Sequence, residues 1–170
     1  MGQPGSPPWR CEPRAWKDHV DTDFVYLFTK TTKALKIVKS SLLQEHGVYV
    51  GQDFVLRALW DAEGLTPKEL AAKLGIAVPT VAKMAQRMEH AGLVSRRRDE
   101  RDGRLVRIFL TDRGRGVQED ITRKLAEFEK QAIAGLSPSD RDVLEHSLMV
   151  VMRNMRELLP GRVRQPDDLP

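Results

Sequence analysis

Between Leu65 and Gly92 the chain reads LTPKELAAKLGIAVPTVAKMAQRMEHAG, and its prolines and glycines leave few folds open. Thr66 is a natural N-cap, Pro67 takes the first helical position, and Glu69, three residues after Thr66, completes a capping box. Gly75 is the expected stop. After Ile76, Ala77 and Val78, Pro79 opens a second helix that Gly92 closes. Two short helices joined by so tight a turn predict a helix-turn-helix unit.

Long amphipathic helices flank it. Val20, Phe24, Leu27, Phe28, Thr31, Leu35, Val38 and Leu42 recur every three or four residues. That spacing predicts a helix from about Trp16 to Glu45 with a narrow, heptad-like stripe suited to packing on another long helix. A second helix, about Gly51 to Ala62, is expected to bury Phe54, Val55, Ala58 and Leu59. Toward the C-terminus, Thr111 caps a predicted long helix to about Ala134, with Val117, Ile121, Leu125, Phe128 and Ala132 on one face. Ser137-Pro138 starts a last helix carrying Leu144, Leu148, Val151, Met155 and Leu158. The Pro- and Gly-rich residues 1–14 and the final 161–170 read as flexible tails.

RRRDERDGRLVRIFLTDRGR, Arg96 to Arg115, follows the second short helix. Val94 to Gly116 holds eight arginines against four acids, an excess equal to the +4 formal charge of the whole 170-residue chain. The charge is therefore clustered, which is what matters for an anionic partner. Leu105, Val106, Ile108 and Leu110 partly alternate, and Asp102-Gly103-Arg104 supplies a turn, so the segment predicts a β-hairpin. Its apolar residues are expected to pack back on the helical pair while its tip projects. An arginine at such a tip suits the narrow minor groove of DNA, and the other arginines suit phosphates.

At 100° per residue, the helix opened by Pro79 carries Val81, Met84, Ala85 and Met88 on one face. The opposite face collects Lys83, Gln86 and His90, flanked by Thr80, Ala82 and Arg87, with the lone acid Glu89 off it. A solvated surface helix is the competing reading. The helix is, however, second in a helix-turn-helix, where such a helix enters the major groove.

The helix order, LTPKELAAKLGIAVPTVAKMAQRMEHAGLVSRR and DERDGRLVRIFLTDRGR together resemble the MarR family of transcription regulators, from about residue 20 to 159. The wing pattern Asp102-Gly103-Arg104, then Leu110-Thr111 and Gly114, is the most specific part. Asp99-Glu100-Arg101 forms an overlapping copy, so the tip register stays open. The resemblance implies a mainly α fold: a winged helix-turn-helix at 50–116, and dimerisation helices at 15–46 and 117–160. It implies a homodimeric DNA-binding repressor of pseudo-palindromic promoters. Separately, a single cysteine with no signal pattern makes the cytoplasm the expected compartment, and with no phosphate loop or nucleophile motif neither an enzyme nor a cofactor is expected. DNA contacts are expected from Thr80, Lys83, Gln86, Arg87, Arg97, Arg101, Asp102 and Arg104, with Asp102 orienting Arg104 by an ion pair. Small aromatic or anionic effectors often release such proteins from DNA. Val78 departs from the family, which often has Ser or Thr capping this helix, and Thr80 is the candidate substitute.

His46, Tyr49 and Trp60 are candidates for an effector pocket, against a competing role in packing. Cys11 allows a redox-responsive regulator as an alternative, although no cysteine falls in the Phe24-Val25-Tyr26-Leu27 region where peroxide-sensing relatives carry one. His19, His46, His90 and His146 are isolated, so no metal site is expected. No apolar run reaches membrane-span length, and MGQPGS is only a formal match to the myristoylation pattern. A winged helix serving purely protein–protein contact is the remaining alternative, disfavoured by the arginine-rich wing.

Overall fold

The computed structural model describes residues 24–158. In chain order it contains α1 (Phe24–Gln44), α2 (Gln52–Asp61), α3 (Pro67–Leu74), α4 (Val78–His90), β1 (Val94–Arg98), β2 (Val106–Leu110), α5 (Asp112–Gly116), α6 (Gln118–Ala132) and α7 (Pro138–Leu158). This is the mainly helical winged-helix architecture that the sequence predicts. The expected helical start near Trp16, both tails, Val20, His19 and Cys11 lie outside the described residues. None of the described helices is long and apolar enough to cross a membrane.

The chain divides into two compact units, one ending at Lys39 and one beginning at Ser40. The described part of the first is helical, with Phe24, Leu27, Leu35 and Val38 of the predicted stripe exposed. Phe24 and Phe28 stack with ring centroids 5.4 Å apart.

The second unit holds the core: Leu43, Val48, Val55, Leu56, Leu59, Leu70, Val81, Met88, Leu93, Ile108, Leu110 and Ile121 are all buried. The capping box forms at α3, where the Thr66 hydroxyl accepts from Glu69 N–H at 3.2 Å and Glu69 Oε2 accepts from Thr66 N–H at 2.7 Å. Such a cap contributes about 1 kcal/mol. Strands β1 and β2 pair antiparallel, Val94 opposite Leu110 and Arg98 opposite Val106. On the far side of β2, Gly64 N–H donates to Ile108 O at 3.0 Å and Ile108 N–H to Leu65 O at 2.9 Å. The hairpin is thus stitched to the segment that leads into α3.

Three expectations need correction. Phe54 is 50% exposed. Gln52 and Asp53 turn inward in its place, because their side chains accept from Tyr49 N–H at 3.0 Å and Gly51 N–H at 2.9 Å and so satisfy the backbone of the preceding loop. Leu105 and Val106 are exposed, and only Ile108 and Leu110 of the alternating set are buried, since the distal half of the hairpin extends past the helices. The single helix expected from Thr111 to Ala134 is divided into α5 and α6 at Val117, with φ −86° and ψ −5°. Gly114 and Gly116, both poor helix formers, lie just before the bend. The ladder carries on through it, from Val117 N–H to Arg113 O at 3.2 Å and from Ile121 N–H to Val117 O at 3.1 Å.

Candidate nucleic-acid interface

Helix α4 is anchored by Val81, Ala85 and Met88, which are buried, with Met84 half-buried beside them. The other side presents Thr80, Lys83, Gln86, Arg87 and His90 to solvent. No side chain caps its start: the N-cap residue is Ala77, and neither Val78 nor Thr80 takes that role. Glu89 is turned to the wing, where its carboxylate accepts from Arg96 N–H at 3.1 Å and Arg96 Nε at 2.7 Å. The Arg96 guanidinium holds the Glu89 carboxyl below the usual range, so the one acid of α4 is neutralised within the protein.

The loop of the hairpin is organised by two aspartates with different tasks. Asp99 Oδ1 accepts from the backbone N–H groups of Arg101 and Asp102, both at 2.8 Å, while Asp99 Oδ2 pairs with Arg107 Nε. The Arg107 bond, then the two backbone donors, hold the Asp99 pKa down to about 2. Asp102 Oδ1 accepts from Arg104 N–H at 3.0 Å, and Leu105 N–H returns to Asp102 O at 2.9 Å. The chain therefore reverses across Asp102-Gly103-Arg104-Leu105. The Asp102–Arg104 side-chain ion pair that the resemblance implies is absent among the described residues; of the two loop aspartates, it is Asp99 that pairs with an arginine, Arg107.

Charge at this surface is sorted by position. Arg96, Arg107 and Arg115 pair with Glu89, Asp99 and Glu63. Among the described residues no carboxylate lies within ion-pair distance of Lys83, Arg87, Arg97, Arg98, Arg101 or Arg104. Arg97 lies over the Phe109 ring at 5.1 Å, an arrangement that leaves its charge available while fixing its direction. Arg96, Arg107 and Arg115 are thus paired within the protein, whereas the cations of the outer α4 face and the wing named above have no carboxylate partner among the described residues.

The proposed effector residues occupy three separate environments. His46 Nε2 contacts Asp120 Oδ2 at 2.7 Å. The Trp60 indole donates to Gly114 O at 3.0 Å. Tyr49 is 68% exposed. Around His46, Lys124 pairs with both Glu45 and Asp120, and Arg123 pairs with Asp120. Lys124, then Arg123, holds the Asp120 pKa down to about 2.

The sequence reading gave no role to Arg107 or Phe109, and it named Asp99 and Gly114 only within the wing pattern, not as the partners of Arg107 and Trp60. Strand alternation was the available signal for two of them, because Arg107 and Phe109 fall on the hairpin face opposite Ile108.

Comparison with known proteins agrees with this geometry. The model of the MarR family matches residues 49–106. The HTH-type transcriptional regulator TtmR of Methylorubrum extorquens is 44% identical over 78 residues, 46% of this chain but only 40% of TtmR's own length. Among solved structures, the PcaV transcriptional regulator of Streptomyces coelicolor with its natural ligand aligns with a TM-score of 0.70 at 24% identity, covering 78% of this chain and 93% of PcaV. The S. aureus MepR–DNA complex aligns with a TM-score of 0.68 at 24% identity, covering 78% and 96%. At these identities the two structures share the fold.

Proposed function

We propose that this chain, whose residues 49–106 match the MarR family model, is a sequence-specific, DNA-binding regulator of transcription. It binds a pseudo-palindromic promoter site as a homodimer, each copy laying α4 in a major groove and its wing along the backbone. The supporting observation is the set of exposed cations without carboxylate partners among the described residues, Lys83 and Arg87 on α4 and Arg97, Arg98, Arg101 and Arg104 on the wing. MepR, with the same fold, has been solved on DNA.

In this reading Lys83 and Gln86, with Thr80, read base edges, and Arg87 and Arg97 grip phosphate. Arg101 and Arg104 reach the adjacent minor groove, and Asp102 sets the turn that presents Arg104. The dimer is supported by apolar side chains left exposed on α1 and, separately, on α7, where Val143, Leu144, Leu148, Met152 and Met155 are uncovered. Repression relieved by a small aromatic or anionic ligand completes the proposal. It rests on the family resemblance and on PcaV, which was solved with its natural ligand.

The test is selection of genomic fragments on the purified full-length protein, repeated across a salt series. Recovery of an inverted-repeat site with sub-micromolar affinity, falling steeply as salt rises, is expected. Absence of preference for any fragment, the protein's own promoter included, overturns the regulator reading.

A further inference from the structure

We propose that Arg107 is a positioning residue that fixes the direction of the wing by clamping its base to the start of α3. This rests on the DNA-binding reading above and assigns a residue on which the wing's reach depends.

The argument begins with a conflict. Arg97 and Arg107 face each other across β1 and β2, and like charges directly opposite on a sheet repel. Arg97 is steadied over Phe109. Arg107 turns the other way, toward three partners from three segments. Its Nε pairs with Asp99 Oδ2 in the hairpin loop, its Nη1 donates to Gly64 O at 2.8 Å before α3, and its Nη1 lies 3.8 Å from Glu69 Oε2 in the α3 capping box.

These partners are already committed. Asp99, whose side chain is 10% exposed, also holds the backbone N–H groups of Arg101 and Asp102. Glu69 also caps Thr66. Gly64, with φ +76°, sits so close beneath the wing that a Cβ there would lie 3.0 Å from the Phe109 ring. One planar guanidinium thus joins the loop that carries Arg101 and Arg104 to the turn that starts the helix-turn-helix. A lysine has a single ammonium in place of the fork, so it reaches Asp99 or Gly64 O but does not span both with the same geometry. Without the clamp the hairpin keeps its strand pairing, but among the described residues its distal half then has no side-chain hydrogen bond or ion pair to the helices.

The proposal is tested on the full-length protein with R107Q, R107K, D99N and R104A, using a duplex recovered by fragment selection. Expected for R107Q is about tenfold weaker binding with an unchanged slope of log affinity against log salt, and a thermal midpoint lowered no further than that of D99N, since both variants lose the same pair. R104A is expected to lower that slope by about one, because it removes a cation that displaces counterions from the duplex. R107K should recover part of the affinity, and the D99N/R107Q double variant should lose little more than either single. In the free protein, backbone amide exchange over residues 99–105 should quicken in R107Q and not in R104A. A slope reduced by about one in R107Q makes Arg107 a phosphate contact and overturns the proposal. Unaltered affinity and amide exchange in R107Q overturn it as well. If the wild-type chain binds no duplex, the regulator reading falls, and the exchange comparison alone decides the clamp.

Discussion

The indole of Trp60 donates to the carbonyl of Gly114 at 3.0 Å, across 54 positions of sequence, and Gly114 has no space for anything larger. A Cβ at Gly114 would lie 2.0 Å from the Leu93 carbonyl oxygen and 3.2 Å from Leu110. Thr111 completes the joint, its hydroxyl donating to Gly92 O at 2.6 Å and accepting from Gly114 N–H at 3.0 Å. The spacing Leu110-Thr111-x-x-Gly114 is therefore the place where the wing, the end of α4 and α5 meet.

Gly114→Ala is expected to destabilise the protein by about 3 kcal/mol or more, because the obstacle is backbone and cannot rotate away. Trp60→Phe removes the indole N–H along with one ring and strands a carbonyl, for a loss of about 1–2 kcal/mol from the hydrogen bond alone. Urea unfolding midpoints compare the two. A Gly114→Ala protein as stable as wild type would mean that Leu93 and α5 are further apart than described.

A division of labour is expected between α4 and the wing. Lys83→Ala and Gln86→Ala should change which bases are preferred, by about 1–3 kcal/mol at a given position. Arg101→Ala and Arg104→Ala should weaken all sequences alike and flatten the salt dependence. Selection on a randomised duplex separates these outcomes, and equal loss on every sequence for all four variants would reject the division.

The exposed apolar face of α7 is expected to be covered by a second copy. Leu148→Glu with Met152→Glu should turn a dimer into a monomer in light scattering, with DNA affinity falling by more than about a hundredfold. Neither residue is buried in the isolated chain, so the second unit should remain folded. A variant that stays dimeric places the subunit contact elsewhere.

Acid should loosen the wing base and the His46 region. Asp99 and Asp120 both titrate near 2, below their unfolded value. Groups depressed in this way contribute stability above the unfolded pKa of about 3.9, and that contribution is lost as pH falls from there toward 2. Asp99→Asn should therefore be less stable than wild type at neutral pH, with the difference closing between about pH 4 and 2. Thermal midpoints across that range give the check, and a constant difference would show that Asp99 is not held as a carboxylate by Arg107.

Most of the winged-helix unit was legible in the sequence because its boundaries are made locally. Thr66 and Glu69 cap their own helix, and Val81, Ala85 and Met88 share a face by period alone. Less legible were features decided by distant partners. Phe54 was expected inside, but Gln52 and Asp53 take the inward positions to satisfy a loop. The bend at Val117 was hidden because Gly114 is chosen for its closeness to Leu93, with helix continuity a secondary matter. At the wing, spacing drew attention to Asp102 and Arg104, whereas the ion pair falls to Asp99 and Arg107, whose partnership depends on how the loop folds back.

The stitching of β2 to Leu65 leaves β1 as the edge of the small sheet. An open strand invites another strand to add to it, and self-association through such edges is a common route to aggregates. Here the edge is Val94 to Arg98, and three of its five residues are arginines. Beyond any role in meeting phosphate, Arg97 and Arg98, which have no carboxylate partner among the described residues, make the approach of a second β1 electrostatically unfavourable. Variants that neutralise both to weaken DNA binding would remove this guard too, so insolubility in such a protein would report on the sheet edge and not on the fold.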